Sequence, residues 1–159
     1  MEEKELIQKI TEKFPSHVVD SSMFRDQLTV IIRKDAALEI MRYLHGDRGF
    51  DLLTDLCGVD HWPRHPRFEV VYHLYSVRKN ERIRVKSSLE EDETISSVES
   101  VWQGANWYER EAFDMLGIVF ENHSCLKRIL MWDDFDGHPL RKDFPTVGHD
   151  FEKPVLPDA

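Results

Sequence analysis

Long apolar runs are missing from this 159-residue sequence. None approaches the roughly 18 residues that a membrane-spanning helix needs, so any work at a membrane is expected from outside the bilayer. Cysteine is scarce too. Cys57 and Cys125 lie far apart and form no C-x-x-C pair. Two thiols cannot supply the four thiolates of an iron–sulfur cluster or a Cys₄ zinc site, so two free cysteines are expected. The seven glycines form neither G-x-G-x-x-G nor a P-loop, and no nucleotide site follows from them. Positive charge is in deficit: the formal net charge of −9 argues against nucleic acid as a partner, whose phosphates would be repelled. The opening residues, MEEKELIQKI, have neither the basic flank of a secretory signal nor the Arg-rich, acid-poor character of a transit peptide. A reducing cytoplasm is the expected setting.

What is present is the composition of a globular domain, 41% hydrophobic and 32% charged. Leu6, Ile7, Ile10 and Phe14 fall at helical spacing, and Pro15 stops that helix. Residues 17–20 and 27–33 read as two strands. Asp35 is placed to cap a second helix in which Ala37, Ile40, Met41 and Leu44 share a face. Gly46 and Gly49 bracket the turn after it. Residues 50–60, 68–77 and 82–89 read as three more strands. The second of these is apolar on both faces and is expected at the centre of the sheet. The third alternates, with Arg82, Arg84 and Lys86 opposite Ile83, Val85 and Leu89, so one of its faces must be wet or must meet acidic groups.

An acidic loop (90–97) leads into a further expected helix, where Ser96 and Glu99 have capping-box spacing. Gly104 interrupts that helix and Asn106 can cap the next. Beyond Ile118 periodicity fades, apart from a helical turn expected around Leu126–Met131, and Pro139, Pro145, Pro154 and Pro157 punctuate the rest. The expected fold is α+β: a two-layer domain with a mixed sheet packed against helices in the order α-β-β-α-β-β-β-α-α. Residues 1–117 form the domain, and residues 118–159 form an extended C-terminal arm that cannot offset its own ordering entropy.

The stretch WYEREAFDMLG (107–117) carries an oddity. On a helical wheel Tyr108, Ala112, Phe113, Met115 and Leu116 form an apolar arc, with Arg110, Glu111 and Asp114 opposite. Glu109 falls inside the apolar arc. It either bonds back to an Asn106 cap as the third helical residue or forms a buried ion pair; a catalytic acid–base role would need a nucleophile, metal or cofactor loop that the sequence does not offer. His61 and His65 have the spacing of a helical metal pair, but Pro63 and Pro66 disrupt the helix, and loop histidines are expected. In GHPLRKDFP (137–145), Pro139 and Pro145 are expected to hold the backbone extended around Leu140, Arg141, Lys142 and Asp143. That segment is either a solvated turn or a strip that docks in a partner's groove.

Together, WYEREAFDMLGIVFENHSCLKRIL and DGHPLRKDFP resemble the motif of one family. It is the C subunit of the proton-pumping NADH–quinone oxidoreductase, respiratory complex I. The matching positions are Glu109, Arg110, Glu111, Asp114, Met115, Gly117, Ile118, His123, Lys127, Arg128, Ile129, Leu130 and residues 139–144. Ser124, Cys125, Trp132 and Phe135 depart from it. The resemblance implies a peripheral-arm subunit with no cofactor of its own, on the cytoplasmic side of the inner membrane. FMN, iron–sulfur clusters, NADH and quinone would belong to other subunits. It also implies contact chiefly with the D subunit, and with the B and I subunits, the arm running along the first of these. On this view the motif charges are structural and interface groups, and Arg141 serves assembly rather than the domain's own folding. Two alternatives stand beside it: the homologous subunit of a membrane-bound hydrogenase-type complex, and a free-standing hydrolase using Glu109 or Asp114 with His123.

Overall fold

Alternation and turn chemistry build the sheet. The computed structural model describes residues 2–148, with side chains from residue 5 onward. Helix α1 (Glu2–Lys13) precedes strands β1 (Val18–Phe24) and β2 (Gln27–Ile32), which are joined by Arg25 and Asp26 at φ +50° and +58°. Two consecutive left-handed residues give the twist that a two-residue hairpin requires. A single 3₁₀ turn (Lys34–Ala36) runs into α2 (Ala37–Gly46), followed by β3 (Leu52–Asp60), β4 (Phe68–Ser76) and β5 (Glu81–Leu89). The five strands pair in the order β1-β2-β5-β4-β3, with β2–β5 parallel and the other pairs antiparallel. This is the expected α+β domain with a mixed sheet against helices.

One sheet face is apolar. Leu28, Val30 and Ile32 of β2, Ile83, Val85 and Leu89 of β5, and Phe68, Val70, Tyr72 and Leu74 of β4 are buried with Ile10 of α1 and Ala37, Ile40, Met41 and Leu44 of α2. The period of two in the strands and of about 3.6 in the helices places these side chains together. Helix α3 (Ala105–Leu116) lies along β3, where the Tyr108 hydroxyl donates to the Thr54 carbonyl at 3.3 Å and so covers a sheet edge.

Four local expectations need correction. Asp35 caps nothing: it sits inside the 3₁₀ turn, 3.6 Å from Arg33, and neither that turn nor α2 has a side-chain cap. β4 is an interior strand, but β5 takes the middle position because β2 pairs in parallel on its far side. No helix occupies residues 97–103. Thr94–Ser96 is instead a short strand, β6, paired in parallel with β7 (Val119–Glu121), and turns fill residues 98–103. The Val98 N–H and the Ser97 hydroxyl bond to Glu109, and the amides of Val101 and Trp102 both return to the Val98 carbonyl as a single turn. The helical turn expected around Leu126–Met131 is also absent: the amides of Ile129, Leu130 and Met131 all turn to one carboxylate. His149, Pro154 and Pro157 of the expected arm lie outside the described residues.

Candidate functional site

Helix α3 organises the motif residues, and two of its acids are fully buried. Glu109 is the fifth residue of the helix, too deep to act as a cap, and Asn106 is not the N-cap but the second helical residue. The Glu109 Oε1 accepts the Val98 N–H at 2.7 Å, and its Oε2 lies 2.6 Å from Ser97 Oγ. Burial is the largest influence on this carboxyl and, against the downward pull of those two bonds, raises it to about 7. His123 Nε2 is 3.9 Å away but donates elsewhere, to the Asn106 carbonyl at 3.2 Å, while Nδ1 accepts the Cys125 N–H at 3.0 Å. Glu99 gathers the Asn106 amide and the Ser124 N–H and hydroxyl at 2.7–3.0 Å. Ser124, a departure from the family pattern, is thereby built into the turn.

Asp114 does not lie on a solvated side of α3, where the helical wheel puts it. Its side chain is 0% exposed, because residues 128–138 fold over it. Oδ1 accepts Arg128 Nη1 at 2.7 Å, and Oδ2 accepts the amides of Ile129, Leu130 and Met131 at 2.9, 2.7 and 2.9 Å. Burial works to raise this carboxyl, but the amides and Arg128 outweigh it, and the net shift is downward. The Arg128 guanidinium also donates to the carbonyls of Phe135 and Gly137, both at 3.0 Å. One ion pair thus ties residues 129–131, 135 and 137 of an otherwise irregular segment to α3.

The 139–144 strip is not extended. The Arg141 amide donates to the His138 carbonyl and the Phe144 amide to the Arg141 carbonyl, closing two backbone turns, and the Arg141 side chain turns inward. Arg141 Nε donates to the Leu116 carbonyl at 2.6 Å, the open C-terminus of α3, and Nη1 to Glu91 at 2.8 Å. The Lys142 amide and the buried Arg67 both reach Asp60, at 2.9 Å and at 3.0–3.2 Å, while Arg67 Nη2 holds Asp143 at 2.6 Å and Nη1 holds Glu91 at 2.9 Å. Burial opposes ionisation of Asp60, but Arg67 and the amides of Lys142 and Trp62 bring it down to about 2. Arg141 therefore belongs to the domain's own packing, which corrects its assignment to assembly alone. Phe135 supports the same tract, edge to face with Trp132 and stacked on Phe144.

Gly117 closes this arrangement. It ends α3 at φ +80°, and a Cβ there would stand 2.5 Å from Arg141 Nη2 and 2.6 Å from His138 Nε2. Gly117→Ala is expected to cost roughly 1–3 kcal/mol through backbone strain and the displaced tract, read as a lower Tm together with faster proteolysis between residues 122 and 148. An unchanged Tm would mean that the tract is not seated on the helix end.

The expected set thus divides. Glu109, Asp114, His123, Arg128, Arg141 and Asp143 are joined to the fold, as are the Pro139–Leu140 turn and Gly117. Arg110 lies over Trp107 at 5.0 Å and donates to the carbonyls of Lys127 and Arg128. Glu111, Lys127 and Lys142 project outward. Asp60, Arg67, Glu91 and Ser97 join the site without any motif to mark them. Among the described residues no group of three or more His, Cys, Asp or Glu is placed to hold a metal ion, and no helix is long and apolar enough to cross a membrane.

Comparison with known proteins extends the likeness. The family model described as "Respiratory-chain NADH dehydrogenase, 30 Kd subunit" matches residues 30–150. A Geotalea uraniireducens protein, named as the C subunit of NADH-quinone oxidoreductase, is 46% identical over 145 residues, 91% of this chain and 88% of that one. The protein of the same name from Citrifermentans bemidjiense is 45% identical over 95% of this chain and 94% of its own. A solved chain from the membrane-bound sulfane sulfur reductase, an archaeal respiratory membrane complex, superposes with a TM-score of 0.79 at 26% identity, covering 92% of this chain and 88% of that one.

Proposed function

This chain belongs to the family of the 30 kDa subunit of respiratory-chain NADH dehydrogenase, and from that premise we propose how it serves the complex. As one subunit of an NADH–quinone oxidoreductase it takes part in a reaction that passes electrons from NADH to quinone. In our reading its own part is mechanical: a cofactor-free subunit of the peripheral arm, on the cytoplasmic side of the membrane. It holds the quinone-reducing module in place through contacts chiefly with the D subunit, and with the B and I subunits. FMN, iron–sulfur clusters, NADH and quinone are bound by other subunits.

One observation carries this reading: the reactive-looking side chains of the motif are consumed by bonds within the chain. Glu109 and Asp114 are 0% exposed with their oxygens bonded to neighbouring groups, and Arg128 and Arg141 bind carbonyls and carboxylates of the same domain. A hydrolase built on Glu109 or Asp114 with His123 would need a carboxylate that substrate can reach, and neither is one. Beside the outward charges of Glu111, Lys127 and Lys142, the motif region exposes large apolar groups: Trp107, Leu130, Trp132 and Leu140 are each more than half exposed. Such side chains suit the buried centre of a contact between subunits. The segment from 118 onward is then seated on its own domain as far as residue 148 and presents these groups to the partner.

The test replaces Trp107 and Leu130 together by glutamate. Recovery of the chain with the intact complex, and NADH:quinone turnover in membranes, are expected to fall about tenfold or more, with the Tm of the full chain held. Normal recovery and turnover would overturn the docking role. The sulfane sulfur reductase likeness favours a second reading, a related membrane complex with the same module. We rank it second because the identity there is 26%, against 43–53% for relatives named for the NADH-quinone oxidoreductase.

A further inference from the structure

The alternation of β5 leaves a feature that the docking contacts above do not use. Arg82, Arg84 and Lys86 share the sheet face opposite the helical layer, where the cross-strand register sets them in rows. Arg82 stands beside Tyr75 and Leu52, and Arg84 between Thr29 and His73 with Asp55 beyond. Lys86 stands between Ile31 and Val71. A groove runs across the first two rows, lined by Gln27, Leu52, Asp55, Tyr75, Arg82 and Arg84.

The cations of this groove are incompletely neutralised. Lys86 has a carboxylate partner, Glu69 at 2.8 Å. Arg84 donates to neutral oxygens, Gln27 Oε1 at 2.9 Å and, at the limit of bonding distance, Thr29 Oγ1 at 3.5 Å. Arg82 rests over the Tyr75 ring at 5.5 Å. Among the described residues neither arginine has an ion-pair partner, and Asp55, the carboxylate that lines the groove, sits two strands from Arg84. Burial and then the charge of Arg84 push the His73 imidazole below its ordinary value, so it adds no cation to the groove. A positive groove on a chain of net charge −9 is local and directional.

We propose that this open sheet face is a second docking surface, and that its occupant is a segment of a neighbouring subunit presenting carboxylates to Arg82 and Arg84. Guanidinium forks favour paired carboxylate oxygens, and the half-exposed Leu52, with Tyr75, supplies an apolar wall for the segment's stem. Anionic lipid or nucleic acid fits less well, because the rest of the chain repels a polyanion whereas a protein segment brings its carboxylates singly. The inference rests on the reading of the chain as one member of a larger complex.

The experiment compares the intact complex carrying wild-type chain, Arg82→Glu with Arg84→Glu, and a control pair of equal charge change, Lys9→Glu with Arg25→Glu. Each is washed with rising salt, and the retained chain is measured. The sheet-face pair is expected to weaken retention about tenfold and to release the chain at much lower salt than the control. Release identical to the control overturns the proposal. So does a finding that wild-type chain binds phosphatidylglycerol vesicles, or self-associates, and that the same pair abolishes this without changing retention. If the reversal lowers the Tm, Arg82→Gln with Arg84→Gln gives the same reading: intermediate release supports the proposal and unchanged release overturns it. Wild-type chain that fails to co-purify at all sinks both the membership reading and this one. Wild-type chain that co-purifies, with a silent reversal, sinks this one alone.

Discussion

Asp114→Ala is expected to detach residues 128–138 from the domain and to cost about 4 kcal/mol. The substitution leaves a partly buried Arg128 without its carboxylate and three backbone amides without their shared acceptor. Unpaired buried donors cost roughly 1–3 kcal/mol each where water cannot reach them. The sum is limited because the tract can swing out and rehydrate rather than stay in place unsatisfied. The expected result is therefore two-staged: proteolysis within residues 126–144 at temperatures where the sheet is still folded, then a lowered global Tm. Asp114→Asn keeps the shape but offers one acceptor oxygen and turns an amide toward donors, so it is expected to lose most of the same stability. The pH dependence has a definite sign. This carboxyl is held below its ordinary value, so its contribution is present at neutral pH and is lost as pH falls through the folded-state value. Proteolysis of Asp114→Ala indistinguishable from wild type would mean that the amide cluster does not hold the tract.

The pairing with Arg128 shows why the motif is spaced as it is. Asp114 immediately precedes Met115 and Leu116, the buried pair that ends α3, where carbonyls begin to lack helical partners. His138 then takes the Asp114 carbonyl, Leu140 the Met115 carbonyl and Arg141 the Leu116 carbonyl. The tract is in effect an extended C-cap, contributed by residues about 25 positions further along. Cations near a helix C-terminus also gain from its dipole, by roughly 0.3–1 kcal/mol where exposed.

What the sequence discloses follows from periodicity, and what it hides follows from distance. The buried faces of α2, β2 and β5 are legible because a helix or strand repeats its environment every few residues. Glu109 is legible as an anomaly, since a carboxylate in an apolar arc is buried if the helix is. Its partners are not legible: spacing points to Ser96 and Glu99 as a cap, and only the fold shows that Ser97 is the hydroxyl facing the acid. Asp114 falls to solvent on a wheel that is correct for an isolated helix. The wheel cannot register a later segment laid over the polar side, and backbone amides leave no trace in residue identity. Arg67 is hidden for a similar reason: Asp143, one of its partners, lies 76 residues away.

Glu109→Gln is expected to make the protein more stable above neutral pH, the reverse of what removing a buried charged group usually does. Burial raises this carboxyl from 4.5 to about 7. Within that window the folded protein holds a proton that the unfolded chain releases, so the carboxyl's contribution is fully present below pH 4.5 and is lost as pH rises through 7. At 1.36 kcal/mol per pH unit, the penalty at pH 8 approaches about 3 kcal/mol. The groups that face the carboxyl do not relieve it. Glu99 adds like charge, the buried Tyr72 hydroxyl is held in its neutral form, and His123 uses both ring nitrogens on backbone groups. Glutamine reproduces the neutral acid, its carbonyl accepting the Val98 N–H and its amide donating to Ser97 Oγ. Denaturation measured from pH 4.5 to 8 should show the wild type losing stability relative to Glu109→Gln, the two converging at the acid end. Parallel curves would mean that the carboxylate ionises normally inside the fold. Glu109→Ala separates the two effects, because it empties the site and strands the Val98 amide, and so should be less stable than Glu109→Gln at every pH.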